Sequence, residues 1–415
     1  MLVSKLLLKA YNYYPDFSNE NIAKIGTEII DGIKFKTVDG FENFGFHELA
    51  LNFSNQNIEE IKKLAKNIVS TKTTDIIIFT DLRTEQNYRS GYEFVYSNDL
   101  LLENKIRFHF ILSDSPQYVW FQRFESLKTH LNWETTSFIF AKLHTFNTEF
   151  IEYIKIILNY LQQHHGYWRT LNKSYLIGKE NVELQLDFIE ISENNKLISP
   201  NILEPRYAFF AEINLLLLFL KGVDIAKVLQ GYVSGSNDFT SNLIGLNQAL
   251  QYAYICSILA NDKKRSLLIS SDPAINSVLT LYSKLKNEQY INKNRLCATM
   301  QFPEHIYTYA PYTIAMSNIY YATFVQLNSQ RHDYRITPEL SINDGVDKFK
   351  QNRLSEFNHR NNDGIVTTLS SVANVPLAHI ILEQNGEIEL GILVAFFYWS
   401  NIFEAYLNKI NPFEI

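Results

Sequence analysis

Cysteine is almost missing from this sequence: Cys256 and Cys297 are the two in 415 residues. Two thiols so far apart make neither a disulfide framework nor a metal knuckle, so they read as buried core thiols of a protein in a reducing cytoplasm. Glycine and proline are scarce too, at 15 and 10, which leaves low-complexity linkers, tethered modules and short-period repeats without support. Charge of neither sign gathers in blocks. The formal net charge of −6 is spread along the chain, and without a basic face or a polybasic segment no nucleic-acid partner and no membrane partner is expected. The apolar run Leu215-Leu-Leu-Leu-Phe-Leu220 closes at Lys221, far short of the roughly 20 residues that cross a bilayer. The opening Met1-Leu-Val-Ser-Lys-Leu-Leu-Leu-Lys9 has no long apolar stretch and no small-residue cleavage site, so a secretory signal is not expected. His164 and His165 are adjacent, a spacing that does not turn both rings to one ion from a helix, and no metal or other cofactor is expected.

What remains is the balance of a packed globular protein, 46% apolar and 20% charged, in a chain long enough for two cores. Helical apolar spacing over 57–69, opened by Asn57 and Glu60 in the manner of a capping box, precedes the β-branched run Thr74-Asp-Ile-Ile-Ile-Phe-Thr80. That run has the signature of a strand covered on both faces of a parallel sheet. The alternation continues with strand 106–112, helix 118–131, strand 137–143 and helix 147–163, and a polar stretch over 166–179 interrupts it. Beyond come helices at 214–221, 223–230 and 242–260, strand 266–270, helix 275–286, strands 296–300 and 321–327, helix 345–363 and strand 378–382. An almost wholly apolar helix over 390–407 follows, of the kind that is buried between layers. Repeated winding of this sort predicts an α/β protein of two doubly wound parallel-sheet domains, over 1–180 and 181–345, with a C-terminal helix-strand-helix segment over 346–415 packing on the body.

Particular residues in that order carry a resemblance. Asn374-Val-Pro-Leu, Ile380-Ile-Leu, Leu390-Gly-Ile-Leu-Val-Ala-Phe-Phe397 and Asn411-Pro-Phe413 resemble, in order and spacing, the end of bacterial glucose-6-phosphate isomerases. There a Gly-Val-Pro-Asn strand leads to a Gly-Tyr-Leu-x-x-Phe-Phe helix and an Asn-Pro-Phe-Asp terminus. Gly45-Phe-His-Glu-Leu49 is similar to that family's Gly-Trp-x-Asp-Leu turn, and Pro205-Arg-Tyr207 to its Gly-Gly-Arg-Tyr. Gly222-Val-Asp-Ile-Ala-Lys-Val-Leu-Gln-Gly231 is similar to its Gly-x-Asp-x-x-x-Leu-x-x-Gly, and Asn358 with Gly364 to its Asn-x-x-x-x-x-Gly helix end. The resemblance implies two sugar-isomerase (SIS) domains and a homodimer with active sites at the domain and subunit boundary. It also implies a sugar-phosphate substrate, glucose 6-phosphate interconverting with fructose 6-phosphate in glycolysis and gluconeogenesis without a metal. Relatives continue past Asn-Pro-Phe through Asp-Gln-Pro-Gly-Val-Glu where this sequence reads Asn411-Pro-Phe-Glu-Ile415, so an altered dimer geometry is expected.

Such an isomerisation needs a phosphate anchor, a group that opens the sugar ring and a base that carries a proton between adjacent carbons, a task for a partly buried carboxylate. The resemblance assigns the base to Glu288, in Lys284-Leu-Lys-Asn-Glu288 where the family has Gln-Leu-x-Gly-Glu; a solvated glutamate at a helix end is the plain alternative. It assigns to Arg206 the cation that stabilises the enediolate more than the ground state; a structural salt bridge is the alternative there. The family's Ser-Lys-Thr/Ser-Gly-Thr-Thr phosphate loop becomes Lys142-Leu-His-Thr-Phe-Asn-Thr-Glu149. Thr145, Asn147 and Thr148 can still donate, and Lys142 or His144 add charge, but the glycine that lets backbone approach the anion is gone. The Gly-Ile-Gly-Gly-Ser turn becomes Thr80-Asp-Leu-Arg-Thr84, with Arg83 as a substitute phosphate donor. The ring-opening histidine aligns with Tyr307, with His305 two residues away as its stand-in, and a lysine of the last helix aligns with Trp399. Losing one acid–base partner costs about 10²–10⁴ in rate. The expected site is therefore degraded, and a catalytically inactive module that binds sugar phosphate or another protein is the competing expectation.

Overall fold

The structure, a computed structural model, describes residues 6–53, 58–97, 106–200, 203–335 and 352–414. Asn57, the expected helix cap, and the expected helix start at 345 lie outside the described residues. The described residues include strands β1 (Leu6–Tyr11), β2 (Asp75–Thr80), β3 (Arg107–Leu112), β4 (Thr136–Lys142), β5 (Ser174–Gly178), β6 (Lys196–Ile198), β7 (Arg265–Ser270), β8 (Leu296–Gln301), β9 (Tyr320–Leu327) and β10 (Leu377–Leu382). They form two five-stranded sheets, ordered β3-β2-β4-β5-β6 and β1-β10-β9-β7-β8. The chain divides into two compact units, a first of residues 42–92 and 99–226 and a second of residues 1–41, 93–98 and 227–415.

In the first unit every strand pairing is parallel. All six residues of β2 are buried, which is why its sequence is a continuous apolar run rather than an alternation. Its one charge, Asp75, is 1% exposed and takes a two-point contact from Arg107 at 2.8 and 2.9 Å and a third from His109 at 2.8 Å. Burial opposes that carboxylate, but the bonds from Arg107, His109 and Thr74 outweigh it and hold its pKa below the usual range. Helices Gln117–His130 and Thr148–His165 bring Trp120 and Phe150 together edge-on at 4.8 Å, beside Phe79 stacked on Phe140 at 5.0 Å. Two expectations are corrected here. The stretch 166–179 is not an interruption but the helix Tyr167–Asn172 and the fully buried β5. Its polar groups are satisfied internally, Ser174 Oγ donating to Thr170 O at 2.8 Å and Asn195 Nδ2 to Ser174 O at 3.2 Å. Gly45-Phe-His-Glu-Leu49 is not a turn either; it opens the helix Gly45–Asn52.

In the second unit β7 to β10 run parallel and β1 closes the edge antiparallel to β10, Leu6 opposite Leu382. The helix Glu387–Leu407 is long and apolar enough to cross a membrane by length and composition, and in this fold it is core, its apolar window 89% buried. Phe396 meets Tyr252 of the helix Gln248–Asp262 at 5.3 Å, and Phe397 stacks on Tyr282 at 4.0 Å. Trp399 is fully buried with Nε1 donating to Ser236 Oγ at 3.1 Å. The helix expected over 223–230 continues as Ile225–Phe239, and it crosses Glu387–Leu407 at a pair of glycines. A Cβ on Gly231 would collide with the carbonyl oxygen of Ile388, and one on Gly391 with that of Val228, so both glycines of the motifs are required by close backbone approach. Both sheets are doubly wound, strands being added on either side of β2 and of β7.

Candidate functional site

A doubly wound sheet offers a crevice where its winding reverses, beyond the carboxyl ends of the two strands at the switch. In the first unit those strands are β2 and β4, followed by Asp81–Thr84 and Leu143–Thr148. Arg83, Thr145, Asn147 and Thr148 therefore share one edge of one sheet. Lys142 reaches Ser113, just past β3, with Nζ 3.0 Å from its Oγ. Lys179, just past β5, donates to Leu203 O at 2.8 Å, next to Glu204 and Arg206. Burial lowers the Lys179 pKa, with Glu204 pulling the other way. His144 is lowered first by burial and then by Lys179 and Lys142, against Glu204 and Asp81. These mutual influences place the four cations Lys142, His144 when protonated, Lys179 and Arg206 near two carboxylates, at an edge able to attract an anion.

Arg206 follows Pro205 in a turn of 3₁₀ helix, where proline's fixed φ suits the first helical position. It is 7% exposed, with Nε bonded to Glu204 Oε1 at 2.9 Å. Its buried Nη1 has no hydrogen-bond partner among the described residues. The proposed phosphate loop is braced rather than open: Asn147 Oδ1 accepts from Phe150 N at 2.9 Å as the cap of the helix Thr148–His165, and Gln185 Oε1 accepts from Phe146 N at 2.8 Å. Thr145, Asn147 and Thr148 remain exposed. Arg83 lies in the first turn of the helix Leu82–Tyr96. Two first-turn amides there are already taken, Leu82 N by Asp114 Oδ2 at 2.9 Å and Thr84 N by Asp81 Oδ1 at 2.8 Å. Carboxylates stand where an anion would otherwise be held.

Glu288 and His305 belong to the second unit, and the structure does not bring them together. Glu288, partly buried, is in the last turn of the helix Pro273–Gln289, whose neighbouring Asn287 bonds the backbone of Cys297 near the start of β8 at 2.7 and 2.8 Å. His305 follows the end of β8 and accepts from Gln301 N at its Nδ1, 3.1 Å away, which puts the proton of a neutral ring on Nε2. The length of β8, roughly 20 Å, separates them. Tyr307 is 92% exposed. The switch point of this second sheet, between β7 and β9, holds a small cleft lined by Ser271, Asn328, Gln330, Ser355, Asn358 and Asn362 among others, and none of the expected site residues falls in it. Lys179 and Gln185 in the first unit are functional candidates that sequence reading missed. The signal for Lys179 was its place directly after a strand, hidden because β5 looked polar.

No family model matches the chain. Curated relatives include the glucose-6-phosphate isomerase of Mycoplasma capricolum, 23% identical over 221 residues, 52% of this chain and 52% of that protein. That of Streptococcus pneumoniae serotype 4 is 22% identical over 220 residues, 52% of this chain and 49% of that protein. The match thus spans about half the length of these relatives. Among solved structures, a hypothetical protein of Thermus thermophilus superposes with a TM-score of 0.79 at 13% identity, covering 98% of this chain and 96% of that one. A glucose-6-phosphate isomerase of Chlamydia trachomatis superposes with a TM-score of 0.76 at 11% identity, covering 99% and 86%. The structural likeness establishes the fold, and over about half its length this chain is similar in sequence, at a divergent level, to glucose-6-phosphate isomerases.

Proposed function

We infer that this protein is an aldose–ketose isomerase of hexose 6-phosphates, converting glucose 6-phosphate and fructose 6-phosphate through an enediolate with a weakened set of supporting groups. Arg206 carries the reading: a buried guanidinium, fixed through Nε to Glu204, with Nη1 unpartnered among the described residues. Leaving such a donor buried and unpaired costs about 1–3 kcal/mol, and a developing enediolate oxygen is an acceptor that offsets it in the transition state. Glu288 takes the proton from C2 of the open-chain aldose and the electron pair moves through C1 onto O1 to give the enediolate; the O2 hydroxyl proton passes to O1, and Glu288 returns its proton to C1 as the C2 carbonyl forms. The 6-phosphate is assigned to the carboxyl edge of the first sheet, with Lys142, Lys179, Thr145, Asn147 and Thr148. Arg83 is left a minor role because its helix start is already occupied by Asp81 and Asp114. A homodimer with sites at the subunit boundary accommodates the separation of His305 from Glu288 along β8, since the two need not serve the same sugar.

Three observations favour a second reading, sugar-phosphate binding without turnover: the carboxylates at the start of Leu82–Tyr96, a phenol at Tyr307, and a core indole at Trp399. The test is a coupled assay of fructose 6-phosphate conversion on the wild type and Glu288→Gln, beside calorimetric binding of the same sugar. Turnover that Glu288→Gln lowers by about 10²–10⁴ supports the isomerase. Binding without turnover at high enzyme concentration supports the second reading, and neither turnover nor binding overturns both.

A further inference from the structure

The loop Leu143–Thr148 after β4 contains no glycine, so its backbone cannot close around an anion as a glycine-bearing loop does. A side chain from another element gives it its shape instead. Gln185 ends the helix Glu180–Gln185, and its amide meets both backbone groups of Phe146. Phe146 N donates to Gln185 Oε1 at 2.8 Å, and Gln185 Nε2 donates to Phe146 O at 3.0 Å. This is the exchange that two paired residues make in an antiparallel ladder, and it fixes the peptide groups on both sides of Phe146.

The clamp is itself anchored. Val182 and Leu186 are buried in the same core as Phe146 and Phe150, and Glu183 pairs with Lys196 of β6 at 2.7 Å. Gly178 at the end of β5 lies opposite Lys142 in register, so Lys179 leads into the clamping helix from beside the end of β4.

The clamp has two consequences for a ligand at this edge. The Phe146 N–H is held by Gln185 and is not offered to an anion, which shifts recognition toward side chains, the exposed Thr145 and Thr148 among them. The Phe146 ring is also the seat of a cation: Lys142 Nζ lies 5.3 Å from its centre while donating to Ser113 Oγ at 3.0 Å. Thr145 precedes Phe146, and Asn147, the cap of the next helix, follows it. A displaced Phe146 therefore moves the loop hydroxyls and the support of the ammonium together.

We propose that Gln185 is a positioning residue for the substrate's phosphate, acting through Phe146 to set where Thr145, Thr148 and Lys142 stand. This rests on the assignment of the 6-phosphate to the carboxyl edge of the first sheet. The phosphate takes no part in the proton transfer and is held alike in substrate and transition state, so the clamp governs affinity rather than turnover.

The test is calorimetric titration of the full chain with fructose 6-phosphate and, separately, with inorganic phosphate, for wild type, Gln185→Met, Val182→Ala and Lys142→Ala, beside hydrogen exchange at the Phe146 amide. Gln185→Met keeps the side-chain volume and removes both bonds. Its dissociation constants for the two ligands are expected to rise by a common factor of about ten, with KM for fructose 6-phosphate rising alongside and kcat little changed. The Phe146 amide should exchange faster while β4 and β5 keep their protection. Val182→Ala loosens the same core without touching the clamp, and its affinities are expected to stay near those of the wild type. Wild-type affinity in Gln185→Met, or an equal loss in Val182→Ala, overturns the proposal, and weakened binding in Lys142→Ala then leaves the phosphate assignment standing. A wild type that binds neither ligand, or unchanged binding in Lys142→Ala, overturns that assignment and this proposal with it.

Discussion

At the carboxyl edge of the first sheet the loops carry Lys142, His144, Lys179 and Arg206, whereas at the same edge of the second they carry Ser271, Asn328 and Gln330, with Arg331 there paired to Glu387 at 2.9 Å. The second unit puts its unusual charges at the opposite end, where Lys286, Arg295 and Glu404 meet at the amino ends of the strands. Both sheets thus keep a buried carboxylate in an ion pair at the amino ends of their strands, Asp75 with Arg107 and Glu404 with Lys286, and what differs is the cluster of basic residues at the carboxyl edge. Winding positions the loops, but the few ionisable residues on them decide the chemistry, and those vary independently of the fold.

The largest effect is expected from breaking the buried pair. Glu404→Gln or Lys286→Met leaves one charge without its partner and should destabilise the second unit by about 3–5 kcal/mol. Replacing both, Lys286→Met with Glu404→Leu, should recover much of the loss. Denaturant unfolding and hydrogen exchange in β7 to β9 measure this, and exchange in β2 to β5 should be unaffected; equal losses in both units would erase the contrast drawn above.

Acid provides a finer comparison. His379 in β10 and His47 in the helix Gly45–Asn52 are each held near 4 by burial, with Lys9 adding to the effect on His379. Both are neutral in the fold, while the unfolded chain protonates them near 6.5. The stabilising contribution is therefore complete above pH 6.5 and is lost as pH falls toward 4, on the order of 3 kcal/mol for each group at most. His379→Gln should flatten the pH dependence of β9 and β10 exchange and leave that of the first unit alone. The smallest effect concerns the braced loop. Asn147→Ala should cost about 1 kcal/mol through the lost cap, whereas Asn147→Asp should keep stability and weaken fructose 6-phosphate binding severalfold by adding negative charge at the proposed anchor. Calorimetry beside denaturant unfolding separates the two.

Much of the fold was legible because buried parallel strands announce themselves. The run Asp75-Ile-Ile-Ile-Phe-Thr80 and the apolar 390–407 segment fell where the physics of double burial requires. β5 was not legible, since Ser174 and Gly178 gave it polar ends and its hydroxyl is satisfied only by the folded backbone of Thr170. β1 alternates buried and exposed positions and pairs with a strand very distant in sequence, a partnership no local pattern encodes. The site was legible only through family motifs. Arg206 was singled out by the motif with a structural salt bridge as the alternative, and its burial and bare Nη1 were visible only in the fold; Lys286, Arg295 and Glu404 are brought together by tertiary structure alone.

That β1–β10 pairing sets a timetable for synthesis. As the chain leaves the ribosome, residues 6–11 emerge long before their partners 377–382. Most of the first unit, residues 99–226 with 42–92, has all its strands in hand well before those partners appear and can consolidate during translation. The leading strand must meanwhile wait as an unpaired edge of Leu6-Leu-Leu-Lys-Ala-Tyr11, a segment open to pairing with other nascent chains. Lys9, exposed in its midst, puts a charge on that edge, a feature that disfavours edge-to-edge pairing.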